Sequence, residues 1–229
     1  MPRLRIAFAA ALVGLASLTA CSSRGDISTS APGAQGGDKP ADAAPAATSP
    51  ITKSLPQADL TKALLGDGET LPGWSLHDDK SVMEGMYCNR AEGDAVPEGW
   101  VRGGDASYEY NGSTKHMADA DICLFDTAEN AHRAYLEWKG TEKTKERPLK
   151  PPVGDEGTLV LNPGRSEDYV HAFSHSGRVN IRIKLDGVTG PDPEGARAML
   201  AATLKRLQQL QDGNPATATA VDEQAQTPK

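Results

Sequence analysis

The feature that most constrains the fold is an alternating stretch, residues 168–185, followed closely by a long amphipathic segment. If Ser176 and Gly177 form a two-residue turn, this stretch is a β-hairpin, and successive side chains point to opposite faces. One face is then apolar and consists of Val170, Ala172, Val179, Ile181, Ile183 and Leu185. Residues 193–211 carry apolar side chains at helical spacing, with Asp192 placed to cap the start and Gly213 to end the helix. The pattern predicts a hairpin packed under a C-terminal helix.

The remaining periodic segments complete an α+β pattern. Residues 58–65 read as a short helix, and a second main helix should begin at Thr127, where Asp126 and Glu129 resemble a capping box. Short strands are expected near residues 108–110, 122–125 and 158–161. We therefore predict a single α+β domain at residues 55–213, built as an antiparallel β-sheet packed on one side by two main α-helices.

The N-terminus has the pattern of an export signal. Arg3 and Arg5 precede an uncharged, apolar run at residues 6–20, which is too short to span about 30 Å of hydrocarbon as a helix. The residues Leu18-Thr19-Ala20-Cys21 resemble the lipobox of bacterial lipoproteins. That resemblance implies cleavage of residues 1–20 and a diacylglycerol on Cys21, which would hold the chain to the outer face of the cell membrane.

Composition defines the segments on either side of the domain and the overall charge. Residues 21–54 and 214–229 are poor in large apolar side chains, so we expect a disordered tether and a disordered tail. Removal of Arg3 and Arg5 changes the formal net charge from −7 to −9, with 22 basic and 31 acidic residues left. This overall charge argues against nucleic acid as a partner.

Two cysteines stay in the predicted domain, Cys88 and Cys123. In an oxidising compartment they most simply form one disulfide, and the alternative is two buried free thiols. Neither has a cysteine or histidine partner at zinc-ligand spacing, so no metal site is predicted.

The second face of the predicted hairpin carries the candidate ligand site. Five of its residues combine aromatic rings, an imidazole and cations: Tyr169, His171, Phe173, Arg178 and Arg182. Such a surface suits an anionic or sugar-like ligand. The alternative is an ordinary solvated face on which cationic side chains cover the rings. A metal at His171 and His175 is rejected, since four strand residues separate their Cα atoms by about 13 Å.

The sequence contains no recognised catalytic motif. Ser113, His116 and Asp119 lie close in sequence, but they are read as loop residues rather than a triad. No catalytic residue and no cofactor is predicted. The function expected is a non-enzymatic ligand-binding or sensor-like module of the cell envelope, with an unidentified ligand or protein partner. An envelope hydrolase assembled from distant loops and a structural partner of a secreted complex are the alternatives.

Several stretches together resemble a known type of domain. They are Leu71-Pro72-Gly73-Trp74, the pair Cys88 and Cys123, residues 125–138, Val153-Gly154-Asp155-Glu156-Gly157, and residues 177–185 before the last helix. In this combination they resemble the extracytoplasmic sensor-like domains of actinobacterial lipoproteins and Ser/Thr kinases. The resemblance implies ligand sensing without catalysis.

Overall fold

A computed structural model describes residues 49–88, 95–140, 146–162 and 169–226. The predicted signal peptide, Cys21 and most of the predicted tether lie outside these residues. The helices are α1 (Gln57–Ala63), α2 (Ala128–Lys139), α3 (Pro193–Gln211) and α4 (Ala220–Ala225). The strands are β1 (Trp74–Leu76), β2 (Ser81–Met83), β3 (Trp100–Tyr110), β4 (Ser113–Phe125), β5 (Glu146–Pro148), β6 (Glu156–Asn162), β7 (Tyr169–Ser176) and β8 (Val179–Asp186). None of the described helices is both long enough and apolar enough to cross a membrane.

All described strands join one antiparallel sheet in the order β1-β3-β4-β8-β7-β6-β5, and β2 pairs with β3 beside β1. The predicted α+β class with an antiparallel sheet is confirmed. Short parts of the long β3–β4 hairpin were predicted from the sequence, near residues 108–110 and 122–125, but not its full length. Its turn is Asn111-Gly112, where both residues have positive φ angles of 51° and 70°, as a type I′ turn requires.

The β7–β8 hairpin has the predicted faces but a different register. Phe173 pairs with Arg182 and Ser176 pairs with Val179, so the two turn residues are Gly177 and Arg178. Gly177 has a φ of 57°, which favours glycine at the first turn position. Moving the turn by one residue moves each cross-strand partner by two. Because side chains alternate with a period of two, every strand residue keeps its predicted face.

One face of the sheet, which we call the first face, packs on α1 and α3. Its side chains include the predicted apolar set of β7 and β8, and β4 adds Ala118, Ala120, Ile122 and Leu124. Helix α3 contributes Ala196, Met199, Leu200, Leu204 and Leu207 to the same core. Asp192 caps α3 as predicted, since its Oδ1 accepts a hydrogen bond from the Gly195 N–H at 2.8 Å.

Helix α2 packs on the opposite, second face, which corrects the prediction that both main helices lie on one side. Its buried residues Ala131, Ala134, Tyr135 and Trp138 share a separate core with Val160, Phe173, Cys123 and Phe125. Phe173 and the apolar side chains of β4 and β6 in this core together form a patch that a helix can bury. A single hairpin considered alone does not show this patch.

The domain extends beyond the predicted limits at both ends. Ile51 is fully buried, and the Gln211 side chain accepts hydrogen bonds from the N–H groups of Thr52 and Lys53 at 2.7 and 3.1 Å. The predicted disorder of the tail is wrong for residues 214–226, where α4 packs beside α3. Arg206 donates to the Ala218 carbonyl at 3.2 Å, and Ala220 is fully buried.

A disulfide joins Cys88 and Cys123, as the sequence predicted. Cys88 ends a 3₁₀ helix (Gly85–Cys88), and Cys123 lies on β4, so the bond fixes this short helix to the second face. Both cysteines are fully buried.

Candidate functional site

The second face divides into a covered half and an open half. The covered half lies beneath α2, and its residues Cys123, Phe125, Phe173, His175 and Asn180 are buried. The open half lies further along the same strands. Its side chains are half-buried, and its members are Ser107, Glu109, Met117, Asp119, Tyr169, His171, Lys184 and Asp186.

Arg182 and Asp121 mark the boundary between the two halves. The guanidinium donates from Nε and Nη2 to Asp121 Oδ2 at 2.7 and 2.6 Å. It also lies 4.8 Å from the ring centroid of Trp138 at the end of α2. Burial raises the pKa of the Asp121 carboxyl, and Arg182 opposes this shift. The Asp121 carboxylate and the Trp138 ring therefore already contact the Arg182 guanidinium.

Lys184 and Tyr169 lie at the centre of the open half. The ammonium is 3.8 Å from Asp119, 3.9 Å from Asp186 and 5.6 Å from the ring centroid of Tyr169. Ser107 donates a hydrogen bond to Asp119 at 2.9 Å, and the Tyr169 ring contacts the His171 ring at 5.1 Å. Glu109 is bound to Nδ1 of His77 at 3.0 Å. The remaining carboxylates, Asp119 and Asp186, face one ammonium, so the surface of the open half is net negative.

The structure does not bring the five predicted ligand-binding residues together on one exposed surface. Tyr169 and His171 lie on the open half, Phe173 is fully buried against Trp138, and Arg182 is bound to Asp121. Arg178 lies in the hairpin turn, where its Nε donates to the Phe125 carbonyl at 2.9 Å. The sequence analysis treated the arginines as free cations, because the carboxylates and carbonyls that bind them come from another strand.

Acidic residues of β3 and β4 were the part of this surface that the sequence analysis missed. Asp119 was interpreted from the sequence only as a loop residue. The run Asp119-Ala120-Asp121-Ile122 alternates polar and apolar side chains, which is the signal of a strand with one acidic face. Within the described ranges, no group of three or more His, Cys, Asp or Glu residues is arranged to hold a metal ion.

The residues once considered for a triad do not assemble. Ser113, His116 and Asp119 all lie on β4 rather than in a loop. His116 and Asp119 are three residues apart on this strand, so their side chains point to opposite faces. His116 is buried and its ring lies 6.5 Å from that of Tyr110.

A second group of polar residues fixes α2 to the sheet. Asn180 donates from Nδ2 to the Ala131 carbonyl at 2.7 Å, which leaves its Oδ1 to accept from Nδ1 of His175 at 3.0 Å. The rings of His175 and His132 are 5.2 Å apart, and His132 is 2.7 Å from Glu156. Burial lowers the pKa of His175, so its neutral form is favoured in the folded chain.

Two cavities lie outside the second face. The larger, about 780 Å³, is lined by the end of α1, the end of α3 and residues 213–216. Its charged side chains largely serve the fold: Arg206 binds Glu69 at 2.9 Å and the Lys62 carbonyl at 2.9 Å, and Lys80 donates to the Leu64 carbonyl at 2.6 Å. The smaller cavity, about 440 Å³, lies beside Trp74 and Tyr110.

Comparisons with known proteins give one kind of similarity. No family model and no curated protein matches the chain. Among solved structures, the chain is similar to the extracellular domain of PknH from Mycobacterium tuberculosis, with 13% identity and a TM-score of 0.46 over 71% of this chain and 100% of that chain. The lipobox that the sequence resembles lies outside the described residues.

Proposed function

We propose that this protein is a lipid-anchored, extracytoplasmic module of the cell envelope that binds a positively charged polar ligand without catalysing a reaction. The open half of the second face, where the carboxylates of Asp119 and Asp186 lie within 3.9 Å of the Lys184 ammonium, is the observation that carries the binding role. The signal-like N-terminus with Cys21 supports the location. The Cys88–Cys123 disulfide agrees with an oxidising compartment outside the cytoplasm.

Lipid anchoring is tested by metabolic labelling with an alkyne-tagged palmitate. Two acyl chains hold a protein on a bilayer stably, at about 0.8 kcal/mol per buried CH₂ group. The wild-type chain should take up the label and sediment with membranes, and the Cys21→Ser variant should do neither. Cys88→Ser is the matched cysteine control and should keep the label. A labelled Cys21→Ser variant would rule out Cys21 as the attachment point.

The charge of the ligand follows from the carboxylates of the open half. Lys184 supplies one positive charge against the two carboxylates of Asp119 and Asp186, and Arg182 is already neutralised by Asp121. A cationic group can therefore gain a charge-assisted hydrogen bond here, whereas an anionic group meets like charge. The aromatic ring of Tyr169 offers a further surface for a cation.

Binding is tested by titrating the full chain in detergent with tetralysine and, as the matched anionic probe, tetraglutamate. We expect binding of tetralysine that weakens with added salt. The variant Asp119→Asn/Asp186→Asn should lose this binding. The variant Glu98→Gln/Glu129→Gln removes the same charge from exposed sites outside the open half, where side-chain exposure is 75% and 88%. Preferential binding of tetraglutamate, or equal losses in both variants, would contradict the proposal.

A further inference from the structure

The smaller cavity, which we call the end cavity, has a lining unlike that of the open half. Its volume is about 440 Å³, within the size range of sites for small ligands. Its walls come from the turn before β1, the end of β3, the loop between β8 and α3, and α4. The lining residues include Trp74, Tyr110, Thr189, Pro191, Asp192 and Gln224.

A fixed aromatic pair forms one wall of the end cavity. Trp74 and Tyr110 meet edge to face, with ring centroids 5.5 Å apart. Gly73 has a φ of 84°, and a Cβ atom there would lie 2.6 Å from the Tyr110 ring, so only glycine allows this approach. The Asn111 N–H also donates to the Gly73 carbonyl at 2.8 Å. The aromatic wall is therefore held in place before any ligand arrives.

Polar groups face this wall from α3 and α4. Asp192 uses Oδ1 to cap α3, and its other oxygen accepts from no donor in the described part of the chain. Gln224 is exposed on α4, and its side-chain amide likewise has no hydrogen bond within the described residues. Thr189 adds a hydroxyl group. These planar carboxylate and amide groups can accept from and donate to neighbouring hydroxyls of one ligand.

The charges that line the end cavity restrict the charge of a ligand bound there. None of the residues lining the end cavity is a lysine or arginine, so an anionic ligand would meet the Asp192 carboxylate without a counter-charge. A cationic ligand would be attracted by the Asp192 carboxylate, and the partial positive charge at the N-terminus of α3 offsets part of this attraction. The arrangement therefore disfavours an anion and suits a ligand with several hydroxyl groups and an apolar side that fits an aromatic ring.

We infer that the end cavity is a binding site for a neutral sugar ring. The aromatic pair and Pro191 would contact the carbon face of the ring, and Asp192, Thr189 and Gln224 would contact its hydroxyl groups. This site is separate from the open half, and its existence does not depend on the charge of the ligand proposed there. A small, polar ligand of this kind is expected to bind with a dissociation constant of about 1 mM.

The test is saturation-transfer NMR on the full chain in a non-sugar detergent, with glucose, glucuronate and glucosamine as probes of one shape and three charges. Glucose should bind, and glucuronate should bind several-fold more weakly because of Asp192. Gln224→Ala should weaken glucose binding about three- to tenfold through loss of a hydrogen bond. Gln226→Ala, at the C-cap of the same helix but outside the cavity, should leave it unchanged.

Asp192→Asn separates the remaining possibilities, since asparagine caps helices about as well as aspartate. This variant should keep most of its glucose affinity and lose its discrimination against glucuronate. The inference is overturned if glucose gives no signal in the wild-type chain, if Gln226→Ala weakens binding as much as Gln224→Ala, or if only glucosamine binds and Asp192→Asn abolishes that binding. A failure of tetralysine to bind the open half has no bearing on these results.

Discussion

Removing Arg182 should destabilise the fold strongly, because it leaves the Asp121 carboxylate buried without its partner. The Asp121 side chain is 9% exposed and Arg182 reaches it from two nitrogens at 2.6 and 2.7 Å. For charge centres about 4 Å apart and an effective dielectric constant of about 20, the attraction is about 4 kcal/mol. Loss of one partner of a buried ion pair typically costs about 3–5 kcal/mol. We therefore expect Arg182→Ala to lower the free energy of unfolding by about 4 kcal/mol.

Urea denaturation followed by circular dichroism measures this loss. Asp121→Ala should cost less than Arg182→Ala, since the guanidinium is 27% exposed and can turn to water. The double variant should be more stable than Arg182→Ala alone, because the unpaired carboxylate is gone. Lys184→Ala is the control on the same strand; its side chain is 36% exposed, and its loss should cost at most about 1 kcal/mol.

Additive stability costs of the two single variants would refute the pairing of Arg182 with Asp121. If the cost of the double variant equals the sum of the two single costs, Arg182 and Asp121 do not stabilise each other. The reasoning would also fail if Arg182→Ala lost no more stability than Lys184→Ala. In either case Arg182 would be free for a ligand, and the boundary between the two halves of the second face would have to be redrawn.

Three further predictions concern stability. Replacing Cys88 and Cys123 together by alanine should lower the free energy of unfolding by about 3–4 kcal/mol, because the bond closes a separation of 35 residues; a reductant should then destabilise the wild type but not the variant. Because burial lowers the pKa of His175 from 6.5, the folded chain binds fewer protons than the unfolded chain just below pH 6.5. The stability that neutral His175 contributes is therefore complete above pH 6.5 and is lost as the pH falls towards the pKa of the folded chain. Thermal melts on both sides of pH 6.5 should show a melting temperature that falls with falling pH, and His175→Gln should reduce this slope. An unchanged slope would contradict this. Arg206→Met should release the tail, since Arg206 binds the Ala218 carbonyl, and limited proteolysis should then cut within residues 214–226 faster than in the wild type; equal cutting rates would show that other contacts hold the tail.

The sequence predicted the parts of the fold that depend on local chemistry. The cap at Asp192, the two main helices and the faces of the β7–β8 hairpin all follow from side chains close in the chain, while the cap of α2 is Thr127, one residue after the predicted Asp126. Face assignment survived an error in the turn because alternation has a period of two. The disulfide was predictable because only two cysteines were left to pair.

What could not be predicted depends on contacts between distant segments. Phe173 is buried because Trp138 of α2 packs against it, with ring centroids 5.8 Å apart, and Val160 of β6 belongs to the same core; the hairpin sequence contains neither residue. Arg182 is neutralised by Asp121, which is 61 residues away in the chain. The tail is ordered by two buried arginines of α3, Arg197 and Arg206, which bind carbonyls of Glu223 and Ala218. Composition alone indicated a disordered tail, since it contains no information about these hydrogen bonds.

The hydrogen bonds that hold residues 50–53 to the domain determine how the domain carries a mechanical load. Gln211, at the end of α3, accepts from the backbone of Thr52 and Lys53 and donates to the Pro50 carbonyl at 3.2 Å. On the other side, the Arg178 N–H donates to the Ile51 carbonyl at 2.8 Å. A pull applied through residue 49 would therefore stress the end of the longest described helix and a hairpin turn, and would not unzip an edge strand. Tension on this segment would pass into α3, whose length is packed against the core.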